Sequence, residues 1–124
     1  HIFYADQHGA DDAPYAAIRL LNALSRQTEP LSHWRKALPI SYATDEMRIA
    51  TDEDKKFSHI RTVSKRLRDE NIPFSDIDGV RVHTEDGWWL IRASNTQALL
   101  VARAESHSEQ GLERLQTLLK RYLP

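Results

Sequence analysis

Apolar residues follow two different regimes along this chain, and the change falls near residue 40. The first stretch opens with the short apolar run Ile2 to Tyr4, which predicts a strand. Asp11 or Asp12 can then cap a helix, with Pro14 in its first turn, where a missing N–H costs little. That helix carries Tyr15, Ala16, Ala17, Ile18, Leu20, Leu21 and Leu24 and is apolar on more than one face. Such a helix needs cover from both sides, and a single preceding strand cannot supply it. Residues 1–30 are therefore expected to be the last strand and helix of a larger α/β domain, present here without its earlier part. Residues 31–39, bracketed by Pro30 and Pro39 and holding no period, read as a linker. Trp34 within it is expected to pack on one of the two flanking domains.

From Ile40 to Pro124 the pattern becomes consistent with one small domain. Met47 and Ile49 alternate with polar neighbours, as in a half-buried strand. Thr51 is expected to start a helix with Asp52, Glu53 and Asp54 in its first turn and Lys65, Arg66 and Arg68 near its end, both matched to the helix dipole. Phe57, Ile60, Val63 and Leu67 form its single apolar stripe, and Pro73 ends it. Residues 79–106 read as three strands. Val80 and Val82 alternate with Arg81 and His83, Glu85–Asp86–Gly87 signals a hairpin, and the segments WWLIR and ALLVARA follow. Ser106 and Glu109 have capping-box spacing, and the last helix shows Leu112, Leu115, Leu118, Leu119 and Tyr122 on one face.

The order β-α-β-β-β-α predicts an α+β fold: a two-layer domain with a four-stranded antiparallel sheet and two helices on one face. Its expected core is Met47, Ile49, Phe57, Ile60, Leu67, Val80, Val82, one of Trp88 and Trp89, Leu112, Leu115 and Leu119.

Composition narrows the function. The chain has 124 residues, 40% of them hydrophobic and 28% charged, with a net charge of −1. That balance argues against a general nucleic-acid or membrane-surface binder, which needs a basic excess. Trp88 and Trp89 could stack bases on an open sheet, but alternation should bury one of them. There is no cysteine, hence no disulfide or thiolate chemistry. No apolar run approaches the roughly 18 residues of a membrane span. The first residue is His1 and the single methionine is Met47, so the chain is expected to be a piece of a longer, cytoplasmic protein. The six histidines show no metal-ligand spacing. Asp11, Asp12 and Asp52 to Asp54 sit at helix starts, where capping and the dipole explain them, so no metal site is expected.

Chemistry concentrates between the last two strands, at Arg92-Ala93-Ser94-Asn95-Thr96. Arginine offers a planar fork of donors that matches phosphate or carboxylate. Ser94 and Thr96 add hydroxyls, and Asn95 tolerates the left-handed backbone of a tight loop, where successive amides can face one concavity. The residues alone suit either an anion cradle or an asparagine-centred turn beside a solvated arginine.

RASNT, preceded by DGVRV and DGWWLIR and followed by LLVARAE, resembles the C-terminal domain of the α-D-phosphohexomutases, with bacterial phosphomannomutase/phosphoglucomutase the nearest likeness. The segment HIFYADQ…ADDAPYAAIRLL independently resembles the end of that family's third domain. The resemblance implies a TATA-binding-protein-like layout for residues 40–124. It implies that Arg92, Ser94, Asn95 and Thr96 grip the phosphate of a hexose phosphate that is not being transferred. His1 matches the histidine closing a sugar-recognition loop, or is a leftover from a purification tag. Arg103 matches an arginine of the following strand, which either supports the site or simply faces outward. Relatives often carry Glu-Pro or Thr-Pro after the threonine, whereas Gln97-Ala98 stands here, so the loop's exit is expected to be less rigid.

Further implications concern what the chain lacks. The family moves a phosphoryl group between C1 and C6 of mannose or glucose 1-/6-phosphates, using a phosphoserine in the first domain and Mg²⁺ held in the second. Neither motif is in this sequence, so these residues are expected to carry no catalytic group and no cofactor of their own. Their implied partners are hexose phosphates and the remaining domains of the same protein, with neither nucleic acid nor membrane. A phosphoglucosamine mutase domain and a non-enzymatic nucleic-acid or protein-binding module are the competing readings.

Overall fold

Each strand of the sheet places alternate residues on one helix-covered face, and the buried set follows that alternation closely. The computed structural model describes all 124 residues, which form two compact units, His1–Pro39 and Ile40–Pro124.

In the first unit, Phe3 makes only an isolated bridge to Asp11, so the expected opening strand is reduced to one pair. A single 3₁₀ turn spans Ala5–Gln7 and helix α1 spans Ala13–Leu24. Asp12 is the N-cap, its Oδ1 accepting the Tyr15 N–H at 2.9 Å, and Pro14 stands in the first turn. None of the α1 side chains is buried, and Ile18 and Leu21 are 63% and 65% exposed. Residues 31–39, expected as a linker, contain a further helix, α2 (Leu31–Ala37), with Arg35 and Lys36 in its last turn. Seven residues between two prolines are too few to display a helical period, which is why the pattern did not reveal it.

The second unit runs β1 (Tyr42–Ala43), β2 (Met47–Ala50), α3 (Glu53–Asp69), β3 (Val80–Thr84), β4 (Gly87–Ala93), β5 (Leu99–Ser106) and α4 (Glu109–Lys120). The sheet is antiparallel throughout, with β3 beside β4, β4 beside β5, and both β1 and β2 on the outer edge of β5. The single first strand expected from the sequence is thus two short pieces along one edge. Thr44 bridges the interruption: its N–H donates to Ala104 O at 2.9 Å and its Oγ1 accepts the Ala104 N–H at 3.1 Å. A side-chain oxygen there replaces a backbone acceptor.

Val80, Val82, Trp89, Ile91, Ala93, Leu100, Ala102 and Ala104 line one face by register and pack against Val63 and Leu67 of α3 and Leu115 and Leu119 of α4. Trp89 is fully buried and stacks on Tyr122 at 5.1 Å, while Trp88 faces outward beneath the Arg81 guanidinium at 4.3 Å. The β3–β4 hairpin closes through Thr84 and Gly87.

Three expectations fail on α3 and α4. Phe57 is 47% exposed and Lys56, one residue earlier, is buried instead. Positions 56, 60, 63, 64 and 67 make a helical stripe as good as one beginning at 57, and the sheet selects the former. The α4 cap is Ser108, whose Oγ accepts the Gly111 N–H at 3.0 Å. Ser106 is the last residue of β5, buried, and donates to Asp86 O at 2.5 Å, so it takes no part in a capping box with Glu109. Helix α3 likewise starts at Glu53 behind Asp52 rather than at Thr51. No helix is long and apolar enough to cross a membrane.

Candidate functional site

The Arg92–Thr96 loop hangs between two long, fully paired strands, so its two ends are fixed by the sheet. At the entry, Ala93 pairs with Leu100 and the Ser94 N–H donates to Leu99 O at 3.0 Å. Ser94 is buried, at 8% exposure, and its Oγ lies within reach of the N–H groups of Thr96 at 3.4 Å and Gln97 at 3.2 Å. A serine hydroxyl accepting amides two and three residues on is the compact turn such side chains promote. Both amides are spoken for by Ser94 Oγ, which still has its own proton to donate. Asn95 and Thr96 are exposed at the tip, and neither side chain makes a hydrogen bond within the protein.

Arg92 lies on the sheet face opposite the helices. It pairs across the ladder with Val101, which pairs in turn with Arg48 of β2. Leu90 sits between Arg81 of β3 and Arg103 of β5 on the same face. Four arginines therefore share the uncovered face with Leu90 and Val101. The Arg92 guanidinium is 3.8 Å from the Asp78 carboxylate, with both groups well solvated, so the pair is weak and leaves the fork of donors available. A concavity of about 360 Å³ opens beside it, lined by Ser75, Ile77, Asp78, Arg81, Leu90 and Arg92.

Gly79, with φ of +80°, lies under this strand. A Cβ there would stand 2.3 Å from Ile91 O and 2.7 Å from Arg92 Cα. Only glycine allows β4 to approach so closely at the residue that carries the arginine.

Of the other residues singled out from sequence, Arg103 is exposed on the uncovered face and makes no hydrogen bond or ion pair. His1 belongs to the first unit, where its Nδ1 is 2.6 Å from Asp11 Oδ2 with both side chains largely exposed. No three His, Asp or Glu side chains gather in a way that could hold a metal ion.

Two residues that the pattern did not single out hold the loop's exit. Lys56 of α3 is 1% exposed; its Nζ donates to Gln97 O at 3.2 Å and pairs with Glu53 Oε1 at 2.5 Å. Arg48 of β2 donates to Gln97 Oε1. Neither could be read from the sequence, because Lys56 and Arg48 lie 41 and 49 residues before Gln97.

Away from the loop, three carboxylates are pulled below their ordinary range, the first being Asp6, which accepts the Tyr15 hydroxyl at 2.8 Å and faces the Arg19 guanidinium. The Arg114 guanidinium beside Asp86 lowers its carboxyl. Glu70 accepts the Tyr122 hydroxyl at 2.6 Å and the Arg66 Nε–H at 2.8 Å, and the first of these contributes most to its lowering. Burial, with the bond to Glu70, pushes the Tyr122 hydroxyl upward.

Fold and loop together define an α+β domain that presents an arginine, two hydroxyls and an amide from the end of an antiparallel sheet. Over residues 46–120 the chain matches the phosphoglucomutase/phosphomannomutase C-terminal domain, and it belongs to that family. It is 37% identical over 124 residues to a phosphomannomutase/phosphoglucomutase of Pseudomonas aeruginosa, covering 99% of this chain and 27% of the relative. A phosphoglucomutase of Neisseria meningitidis is 37% identical over 97% of this chain and 26% of its own length. A probable phosphoglucosamine mutase of Methanopyrus kandleri is 31% identical over 90% of this chain. The crystal structure of a phosphoglucomutase/phosphomannomutase family protein from Burkholderia thailandensis superposes with a TM-score of 0.82 at 32% identity, covering 99% of this chain and 26% of that one. The chain thus spans about a quarter of the length of these relatives.

Proposed function

We propose that this chain is the phosphate-binding domain of a hexose-phosphate mutase, in which Arg92, Ser94, Asn95 and Thr96 grip the phosphate that is not transferred. The observation that carries the reading is the loop itself. A buried serine folds the turn, the tip residues are exposed with unused polar groups, and a solvated guanidinium stands two residues before the turn on the open face. Hydroxyls, an amide and a planar fork of N–H donors are the donor set that a phosphate dianion takes. Arg103, diagonal to Arg92 on the same face, adds positive potential. His1 would meet the sugar in the assembled enzyme.

None of these groups distinguishes one hexose from another. A site that recognises phosphate alone suits a reaction whose intermediate turns end for end between two half-reactions. The domain's contribution is positional: it binds the distal phosphate, orients the sugar and closes the cleft. In this reading Mg²⁺ and the phosphoserine would be supplied by other parts of the full-length enzyme.

The test is an amide titration by NMR with mannose 1-phosphate, glucose 6-phosphate and inorganic phosphate. Ser94, Asn95 and Thr96 should shift with all three, with a dissociation constant near 1 mM, which corresponds to about −4 kcal/mol. Arg92→Ala should abolish the shifts. Shifts that persist in Arg92→Ala, or that appear elsewhere on the domain, would remove the loop from the proposal.

A further inference from the structure

Gln97 is the most heavily fastened residue of the loop, although its side chain is exposed and nothing in its type announces a role. Its N–H donates to Ser94 Oγ at 3.2 Å, its carbonyl accepts the Leu99 N–H at 2.9 Å and Lys56 Nζ at 3.2 Å, and its side-chain oxygen accepts Arg48. The next residue is held as well, since Ala98 O accepts the Thr51 N–H at 3.1 Å. Three separate elements, β2, the start of α3 and β5, thus converge on two residues of loop exit.

Lys56 is the unusual member. A lysine in the first turn of a solvent-facing helix ordinarily extends into water, and removing an ammonium from water is costly unless it is paired and hydrogen-bonded. Here it is buried and aimed at the back of the loop, with Glu53 as its counter-ion and the Gln97 carbonyl as its second partner. Tethering α3 to the sheet would need no charge, because apolar residues already do it at Val63 and Leu67. A buried cation is useful where a loop carbonyl must be held and an anion is to arrive nearby.

We propose that Lys56 and Arg48, acting through Gln97, latch the exit of the Ser94–Thr96 turn and hold its donors in place for an incoming phosphate. The inference rests on the reading of that loop as a phosphate grip. It also assigns a role to the departure at positions 97 and 98. Where a proline would stiffen the exit through its own backbone, this chain does so with two cations and an amide. Lys56 and Arg48 are positioning residues, since neither needs to touch the ligand.

The experiment compares wild type, Lys56→Met, Gln97→Ala and Arg92→Ala of this chain in two measurements: hydrogen exchange of loop and sheet amides, and titration with inorganic phosphate. Removing a hydrogen bond made by a charged donor should speed exchange at Thr96, Gln97 and Leu99 by about tenfold or more in Lys56→Met, with Trp89 and Leu115 unchanged, and weaken phosphate binding by about the same factor. Gln97→Ala, at an exposed side chain that cannot threaten folding, should weaken binding about threefold, less than Lys56→Met because the Arg48–Gln97 bond lies in solvent. Unchanged loop exchange in Lys56→Met overturns the latch. A loosened loop with unaltered phosphate affinity overturns its positioning role. If Lys56→Met does not fold, Gln97→Ala decides by the same two measurements. If wild type ignores phosphate and Arg92→Ala changes nothing, the phosphate-grip reading fails, and loop exchange alone upholds or overturns the latch.

Discussion

Gly79→Ala joins the fold to the site in a single substitution. Gly79 has φ of +80°, and a Cβ there would stand 2.3 Å from Ile91 O and 2.7 Å from both Arg92 Cα and Cβ. Holding an L-residue in a left-handed conformation costs about 1–2 kcal/mol. The steric part is added to that. The obstacle is backbone of a central strand, so no side-chain rotation relieves it, and overpacking of this kind costs typically 1–3 kcal/mol. The sum is a loss of about 2–5 kcal/mol, a large share of the roughly 5–15 kcal/mol that keeps a domain folded. At about 4–8 °C per kcal/mol for a domain of this size, the melting temperature should fall by at least about 8 °C. Urea unfolding followed by the fluorescence of buried Trp89 measures the change directly. Relief must also come by moving β4 away at Arg92, so phosphate binding should weaken even at temperatures where the variant is fully folded. A loss below about 1 kcal/mol, with phosphate binding intact, would refute the claim that close backbone approach at Gly79 sets the place of Arg92.

Two further expectations test the packing and the electrostatics. Leu67→Ala should cost about 2–5 kcal/mol, because Leu67 is fully buried against the sheet. Phe57→Gln should cost about 1 kcal/mol or less, because Phe57 is half exposed; equal losses in urea unfolding would restore Phe57 to the core. Glu70 and Asp86 are lowered in the folded protein, so the folded state favours their ionised forms. Their contribution is complete above the ordinary values of 4.5 and 3.8 and is lost as pH falls through the lowered folded values. Stability should therefore decline on acidification below about pH 4.5, and less steeply in Glu70→Gln, as read from urea midpoints across the acid range.

Much of the domain was legible because its signals are local. The leucines of α4 recur at helical spacing, the Glu85–Asp86–Gly87 turn announces its hairpin, and one of two adjacent tryptophans on a strand must point inward. The loop's set of donors was legible for the same reason, since Arg92, Ser94, Asn95 and Thr96 are neighbours in the chain. The β-α-β-β-β-α order and the one-sided helices followed from period alone. That the first helix is apolar on more than one face was equally plain.

What needed the tertiary structure was every choice between near-equal local options. A stripe beginning at 56 or at 57 differs by 100° of helix rotation, and only the position of the sheet selects Lys56 for burial and leaves Phe57 outside. Ser106 and Ser108 both suit a helix cap, and the choice depends on where β5 stops pairing with Gly87. The latch on Gln97 is non-local altogether: its donors come from two elements more than forty residues away, brought together by strand pairing and helix packing. Sequence determines periodicity and the chemistry of adjacent residues, because both act over a few bonds. Contacts between distant residues are decided only when the sheet closes, because only then do burial and register choose among the partners that the chain allows.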